Sequence, residues 1–327
     1  MKTLAKSAIY LVALGLFAAM ILSGCNIPLT AGDVTAEAPP PAVEVVESKQ
    51  PDDTQEVYET ANVLAPSAPG FAVEMNEKAI IDYSNTREGY VMAKFLEEPG
   101  RKIKLLLTVP DETLYTYSLH PGIFEAFPLS GGNGEYTVAV YEQVEGTKYA
   151  LVVSATIIVT LADEFAPFLR PNQYVDFNKD SEVVSKAAML TAGMDDMMEK
   201  ITEVYNFVIT NIEYDVDLAE SVESGYLPVL DQVLQSGKGI CFDYAALMTA
   251  MLRSQSIPTK LVIGFTADAY HAWISVFSEE TGWVDDLIYF DGNDWKLMDL
   301  TFAAGGQSND ILEYIGDGTN YEAKFMH

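Results

Sequence analysis

Cys241, His271 and Asp299 are three side chains whose types and order could together carry out nucleophilic chemistry. Acyl transfer from an amide by cysteine needs a thiolate, a base to move protons, a group to orient that base, and donors for the oxyanion. Cys241 follows the glycine-rich approach Gly237-Lys238-Gly239-Ile240 and opens a run that is apolar nearly all round to about Ser254. The glycines permit a tight turn. The run reads as a helix buried on most faces, and Ile257-Pro258 forbids its continuation. A thiol at a helix N-terminus sits near partial positive charge and unpaired N–H groups, which favours thiolate.

The base and its orienter come from two further stretches. Residues 271–277, beginning His271-Ala272-Trp273, have strand character, and residues 295–302, which contain Asp299, alternate in the same way. Pairing of the two strands would stand the imidazole beside the carboxylate, which holds its tautomer and orientation. His271 is the one of the 3 histidines with such a setting, because His327 ends the chain and His120 lies in a proline–glycine turn far upstream. Asp285, Asp286, Asp291 and Asp294 form a loop-like insertion, read as solvated, from which any one could substitute as orienter. The Cys241 N–H is the first oxyanion donor, and Gln235, upstream of the helix, is the candidate for the second. Trp273 and Trp283 either line a substrate groove or pack in the core. With Cys241 and His271 assigned, no second histidine or cysteine has ligand spacing, so no metal and no cofactor is expected.

The order Cys, then His in H-A-W, then Asp in W-x-x-x-D-x-T-F resembles the core of the transglutaminase-like superfamily, a branch of the papain-like cysteine enzymes. Leu300 stands where that family commonly has proline after the aspartate. The resemblance covers about the last 150 residues. It implies an α+β domain with a Cys-His-Asp triad acting on amide bonds of extracellular peptide or protein. With water as acceptor the protein would be a cysteine peptidase or amidase, and with a lysine amine a cross-linking transglutaminase. A third reading keeps the fold as a non-catalytic module that binds peptide or cell wall, since fold alone does not establish function. The calcium dependence of animal relatives is not carried over, because no matching acidic loop is recognisable.

The elements that must position these residues occupy the second half of the chain. Of its 327 residues 49% are hydrophobic, enough for two ordinary cores. The formal net charge of -29 argues against nucleic acid and against electrostatic adsorption to anionic lipid. Residues 1–24 have the layout of a secretory signal, with Lys2 and Lys6 before an apolar stretch too short for a comfortable membrane span. Its ending, Leu22-Ser23-Gly24-Cys25, resembles a bacterial lipobox, which implies cleavage before Cys25 and lipid on its sulfur. The product would be anchored to the outer face of a bacterial membrane. Lipidation of Cys25 would leave Cys241 as the unpaired one of the 2 cysteines, and an unpaired cysteine in an exported protein needs a reason.

Residues 25–70 are rich in proline, alanine and acid, and read as a disordered tether. As a flexible coil it would span about 35 to 40 Å. Residues 71–165 change character: strand-like runs at 90–96, 103–109, 114–119, 136–141 and 149–161 are separated by turn signals and suggest an all-β sandwich. Residues 166–327 make the second domain. Its helices are expected from Asp180 or Ser181 to about 191, from about 195 to 211 with Met198, Ile201, Val204, Tyr205 and Val208 on one face, and around 229–235. Mass spectrometry of the mature N-terminus is expected to find lipidated Cys25, and Cys25→Ser to release the protein into the medium. Identical unlipidated N-termini from both forms would exclude the anchor.

Overall fold

Alternation of apolar and polar residues builds the first half. In the computed structural model, which describes residues 63–97, 100–266, 269–279, 282–284, 289–290, 295–296 and 321–327, eight strands follow one another. They are β1 (Val73–Met75), β2 (Ala79–Asp82), β3 (Tyr90–Phe95), β4 (Ile103–Thr108), β5 (Leu114–Ser118), β6 (Glu125–Pro128), β7 (Gly134–Glu145) and β8 (Lys148–Val159). In β4 every second residue, Ile103, Leu105 and Leu107, is buried, as expected for a strand with one face on a core. The strands form two antiparallel four-stranded sheets, ordered β1-β2-β3-β6 and β5-β4-β7-β8. Their inner faces share one core, including Ile81, Val91 and Phe95 from one sheet and Leu105, Tyr136 and Val138 from the other. This is the expected sandwich, with β1, β2 and β6 added to the strands read from the sequence.

A helical period takes over after Phe168. The helices are α1 (Glu182–Leu190), α2 (Met197–Asn211), α3 (Val216–Ser221), α4 (Leu230–Ser236) and α5 (Cys241–Ser254). The α2 stripe buries Ile201, Val204, Tyr205 and Val208, and Asp196 caps the helix by accepting from the Glu199 N–H at 2.9 Å. Ser181 stands at the N-cap of α1 without capping it. Its hydroxyl oxygen accepts from the Asn178 N–H, and the α1 donor at Val183 is met instead by Asp231 of α4, at 3.0 Å. A tertiary contact thus does the work of a local cap.

Short strands β9 (Glu213–Tyr214) and β10 (Lys238–Gly239) pair in parallel, and β11 (Thr259–Thr266), β12 (Ala269–Ser278) and β13 (Gly282–Val284) follow. After β14 (Tyr289–Phe290) and β15 (Trp295–Lys296), which pair with each other, comes β16 (Tyr321–Met326). The third four-stranded sheet is ordered β13-β12-β11-β16 and is antiparallel throughout. Helix α5 packs on it through β11 and β12, and α1, α2 and α4 enclose the helix from the other sides. Every side chain of residues 243–254 is buried.

The two halves are joined by polar groups as well as apolar ones. The Arg253 guanidinium, fully enclosed, donates to the carbonyls of Thr259 (2.7 and 2.9 Å), Arg170 (2.7 Å) and His327 (2.6 Å). The Tyr117 hydroxyl of the sandwich shares a hydrogen bond of 3.0 Å with His327 Nδ1, and Tyr115 and Tyr174 pack their rings on the same imidazole. Residues 63–70, the end of the stretch expected as tether, lie along this body. Ser67 N–H donates to Tyr90 Oη at 3.1 Å, Gly70 N–H to Asp82 Oδ2 at 2.7 Å, and Val63 packs against the core around α5. Cys25 and the signal segment lie outside the described residues.

Burial, and then the Arg253 charge, push the His327 pKa down to about 3. An unfolded histidine titrates near 6.5. Between those values the unfolded chain takes up a proton that the native imidazole refuses, so stability is lost as pH falls through about 6.5 toward 3. Urea titrations at pH 7 and pH 4 are expected to show wild type losing on the order of 3 kcal/mol more than His327→Gln.

Candidate active site

The approach to Cys241 is held from several sides. Helix α4 ends at Gly237, which adopts the left-handed conformation, and pairing of β10 with β9 fixes the next residues: Glu213 N–H donates to Gly237 O at 2.8 Å and Asp215 N–H to Gly239 O at 2.9 Å. Ile240 is the extended N-cap of α5, so Cys241 is its first helical residue. Asp243 reaches back to accept the Ile240 N–H at 2.8 Å, satisfying one of the free donors at the helix start. Its other oxygen accepts from the Tyr226 hydroxyl at 2.7 Å. A Cβ on residue 239 would stand 2.6 Å from the Asp243 Cβ, so glycine is required there by the carboxylate that locks the turn.

Asp243 is fully buried, and loss of hydration raises its pKa, with the nearby Asp215 charge adding to the rise and the two hydrogen bonds opposing it. The Tyr226 phenol is raised as well, first by burial and then by its bond to Asp243. Tyr226 also packs edge-on against Phe242, whose ring in turn meets Tyr174 at 5.4 Å. The thiol itself is half-buried at the mouth of this assembly.

His271 lies near the start of β12, opposite Gly264 of β11. Alternation along β12 gives Ala272, Ile274 and Val276 to the core around α5 and turns His271, Trp273 and Ser275 to the other face. The His271 ring is buried and stacks on Trp273 at 6.3 Å, and Trp273 meets Tyr321 edge-on at 5.2 Å. Gly264 accommodates that stack: a Cβ there would lie 2.1 Å from the Glu322 carbonyl oxygen and 2.8 Å from the Trp273 ring. Tyr270, directly before His271, is 63% exposed, and its phenol pKa is raised by partial loss of hydration and then by the charge of Cys241. Helix α5, which begins at Cys241, packs on β12.

The other expected residues are placed as follows. Gln235 is exposed on α4 and donates its amide to Glu182 Oε1 at 2.8 Å. Trp283 packs with Phe165, Phe168 and Phe277, with the Lys260 ammonium 3.7 Å from its ring centroid. Trp273 is buried in the stack just described. Asp299 lies outside the described residues, as do Asp285, Asp286, Asp291 and Asp294. Among the described residues no group of three histidine, cysteine or acidic side chains could hold a metal ion. Three residues of the site were not singled out from the sequence: Asp243, Tyr226 and Tyr270. An acidic residue three positions after the N-cap was the available signal for Asp243; Tyr226 is joined to it only by tertiary structure.

Residues 184–285 match the family model of the transglutaminase-like superfamily, so α1 to β13 form a transglutaminase-like domain of mixed α/β structure preceded by a β-rich region. The uncharacterized protein YebA of Bacillus subtilis is 27% identical over 118 residues, 30% of this chain and 16% of YebA. The UPF0252 protein MJ1282 of Methanocaldococcus jannaschii is 28% identical over 120 residues, 33% of this chain and 34% of that protein. The chain thus spans no more than about a third of the length of these curated relatives. A candidate cysteine protease of Cytophaga hutchinsonii aligns over 78% of this chain and 73% of its own, at 16% identity and a TM-score of 0.37.

Removing the Asp243 carboxylate leaves the Ile240 N–H and the Tyr226 hydroxyl without their acceptor. Asp243→Ala is expected to cost about 1–3 kcal/mol in denaturant titrations, and Tyr226→Phe about 1 kcal/mol.

Proposed function

We propose that the protein is a thiol acyl-transfer enzyme that cleaves amide bonds of extracellular peptide or protein, with Cys241 as nucleophile, His271 as base and Asp299 as orienter. What supports this reading is Cys241 as the first residue of buried α5, on a turn locked by Asp243, in a helix that packs on β12, the strand that carries His271. The transglutaminase-like domain over 184–285 supports the same chemistry. His271 takes the thiol proton, and Sγ attacks the amide carbonyl carbon to form the C–S bond. The resulting oxyanion meets the N–H groups at the start of α5. Collapse of the tetrahedral species breaks the C–N bond, and the departing amine takes the proton from His271. Water, deprotonated by His271, then attacks the thioester, releasing the acid and restoring the thiol.

Lipid on Cys25 would hold the enzyme at the outer face of the membrane, where exported proteins and cell-wall peptides are the substrates within reach. The acidic surface fits that setting, because a net charge of -29 disfavours lipid and nucleic acid as partners of the folded part.

Iodoacetamide labelling of the folded protein, followed by peptide mass mapping, is the direct test. Cys241 is expected to be alkylated, and His271→Ala to slow the reaction at least about tenfold by removing the ion-pair partner. Peptide release from a mixed protein substrate should vanish in Cys241→Ala and fall by about 10²–10⁴ in His271→Ala. Equal labelling with and without His271, together with undiminished peptide release, would exclude this assignment.

A further inference from the structure

Residues 63–70, Val-Leu-Ala-Pro-Ser-Ala-Pro-Gly, belong to no helix or strand, yet they are fastened at both ends. Pro66 and Pro69 lack the N–H that a ladder uses, which disfavours pairing with a sheet edge. Side chains bind the main chain of this segment instead. Gly70 N–H donates to Asp82 Oδ2 at 2.7 Å and Ser67 N–H to Tyr90 Oη at 3.1 Å, while the Ser67 carbonyl accepts from Asn85 Nδ2 at 2.8 Å. Ala68 packs on Tyr90, Met92 and Ala126 of the sandwich, and Val63, at the other end, on the core around α5. The segment thus crosses from one half of the body to the other.

Two of its partners depend on it in turn. Asp82 is 3% exposed, and its carboxylate takes the N–H groups of Gly70 and Ser84, the second at 2.9 Å. A buried charge stripped of one donor is costly, so the carboxylate draws Gly70 in. Arg170 is the other partner. Its Nη1 donates to the Leu64 carbonyl at 3.4 Å, its Nε to the Glu88 carbonyl at 3.2 Å, and its Nη2 pairs with the Glu88 carboxylate, with the guanidinium over the Tyr90 ring. The Arg170 carbonyl accepts from Arg253, in the last turn of α5, at 2.7 Å. One residue therefore meets the segment through its side chain and the end of α5 through its backbone. Ala65, Ser67, Pro69 and Gly70 are exposed, so the segment opens at a lower free energy than the strands beneath it.

We propose that residues 63–70 are a releasable strap, held by Asp82, Tyr90 and Arg170, whose docking fixes Arg170 and through it the C-terminal end of α5. With the strap docked the Arg170 side chain is 15% exposed. Release takes away the Leu64 carbonyl, leaves Asp82 short of a donor and admits water, which screens the pair of Arg170 with Glu88. A pull on the chain ahead of Val63, as from the lipid proposed on Cys25, or a cut within 63–70, acts on the strap first. The device couples the N-terminal side of the chain to α5 and does not rest on the chemistry of Cys241.

Hydrogen–deuterium exchange of the full chain, read by mass spectrometry of its peptic peptides, tests the strap. Gly70→Pro removes the N–H that Asp82 binds and is incompatible with the φ of 79° at that residue. Gly70→Asn keeps the N–H, tolerates that φ and has open space for its side chain, which makes it the control. In wild type and Gly70→Asn the amides of residues 67–70 are expected to exchange at least about tenfold more slowly than in a synthetic peptide of residues 63–72. In Gly70→Pro that protection should be lost, and the amides of residues 255–261, which follow Arg253, should exchange at least about threefold faster while those of β7 and β8 stay unchanged. Unprotected strap amides in wild type, protection kept in Gly70→Pro, or protection lost there with no change at 255–261 would overturn the proposal. So would equal acceleration in β7 and β8, which marks general unfolding.

Discussion

The buried Arg253 guanidinium is the interaction on which the arrangement of the body depends. Its position in the last turn of α5 gives it the favourable field of the helix C-terminus, and its N–H groups bind three carbonyls that no other element brings together. Arg170 supplies one from the segment leaving the sandwich, Thr259 one from the start of β11, and His327 one from the end of β16. Burial lowers the Arg253 pKa to about 9, which still leaves it protonated at neutral pH. A buried cation is costly unless its donors are met, so the three carbonyls are held in place as firmly as they hold the arginine.

That constraint explains why the expected division into a sandwich and a second domain describes composition better than mechanics. The described residues between 63 and 327 belong to one compact unit. The sandwich contributes Tyr117 to His327, and residues 171–175 thread between the halves with Asn172, Gln173 and Tyr174 all engaged. Burial, and then the Arg253 charge, keep His327 neutral, and it shares its hydrogen bond with a tyrosine. Separating the halves would expose an aromatic cluster and strip the arginine of a partner.

Legibility in the sequence followed the reach of each signal. Helix α5 was readable to the residue, because a glycine turn, an unbroken apolar run and Ile257-Pro258 mark both its ends and its burial. Strands β3, β4, β5, β7 and β8 were readable as strand-like runs of five residues or more between turn signals. β1, β2 and β6 span four residues or fewer, too short for a period to register, and β6 ends in Pro128. β16 reads as a charged segment, Tyr-Glu-Ala-Lys-Phe-Met, and becomes a strand because β11 offers it an edge. For the candidate site, type and order singled out Cys241 and His271. Asp243 escaped because Ile240 at the N-cap lacks the side-chain oxygen that would advertise a capping box, and Tyr226 because its bond to Asp243 crosses a loop and a helix. Residue type announces chemistry, whereas tertiary contact decides which polar groups support it.

The two ends of α5 complete the argument about placement. A helix of this length runs about 20 Å, and an enclosed α-helix transmits position along its axis with little give. At its far end Arg253 ties it to three segments; at its near end Asp243 ties it to Ile240 and Tyr226. Cys241 sits one residue beyond the Ile240 N–H that Asp243 holds, so its backbone is fixed at the start of α5. A nucleophile gains most from being held in an attacking geometry before the substrate arrives. For the nucleophile proposed above, that geometry would be set by polar contacts at both ends of the rod, with the apolar residues between them keeping it straight and dry.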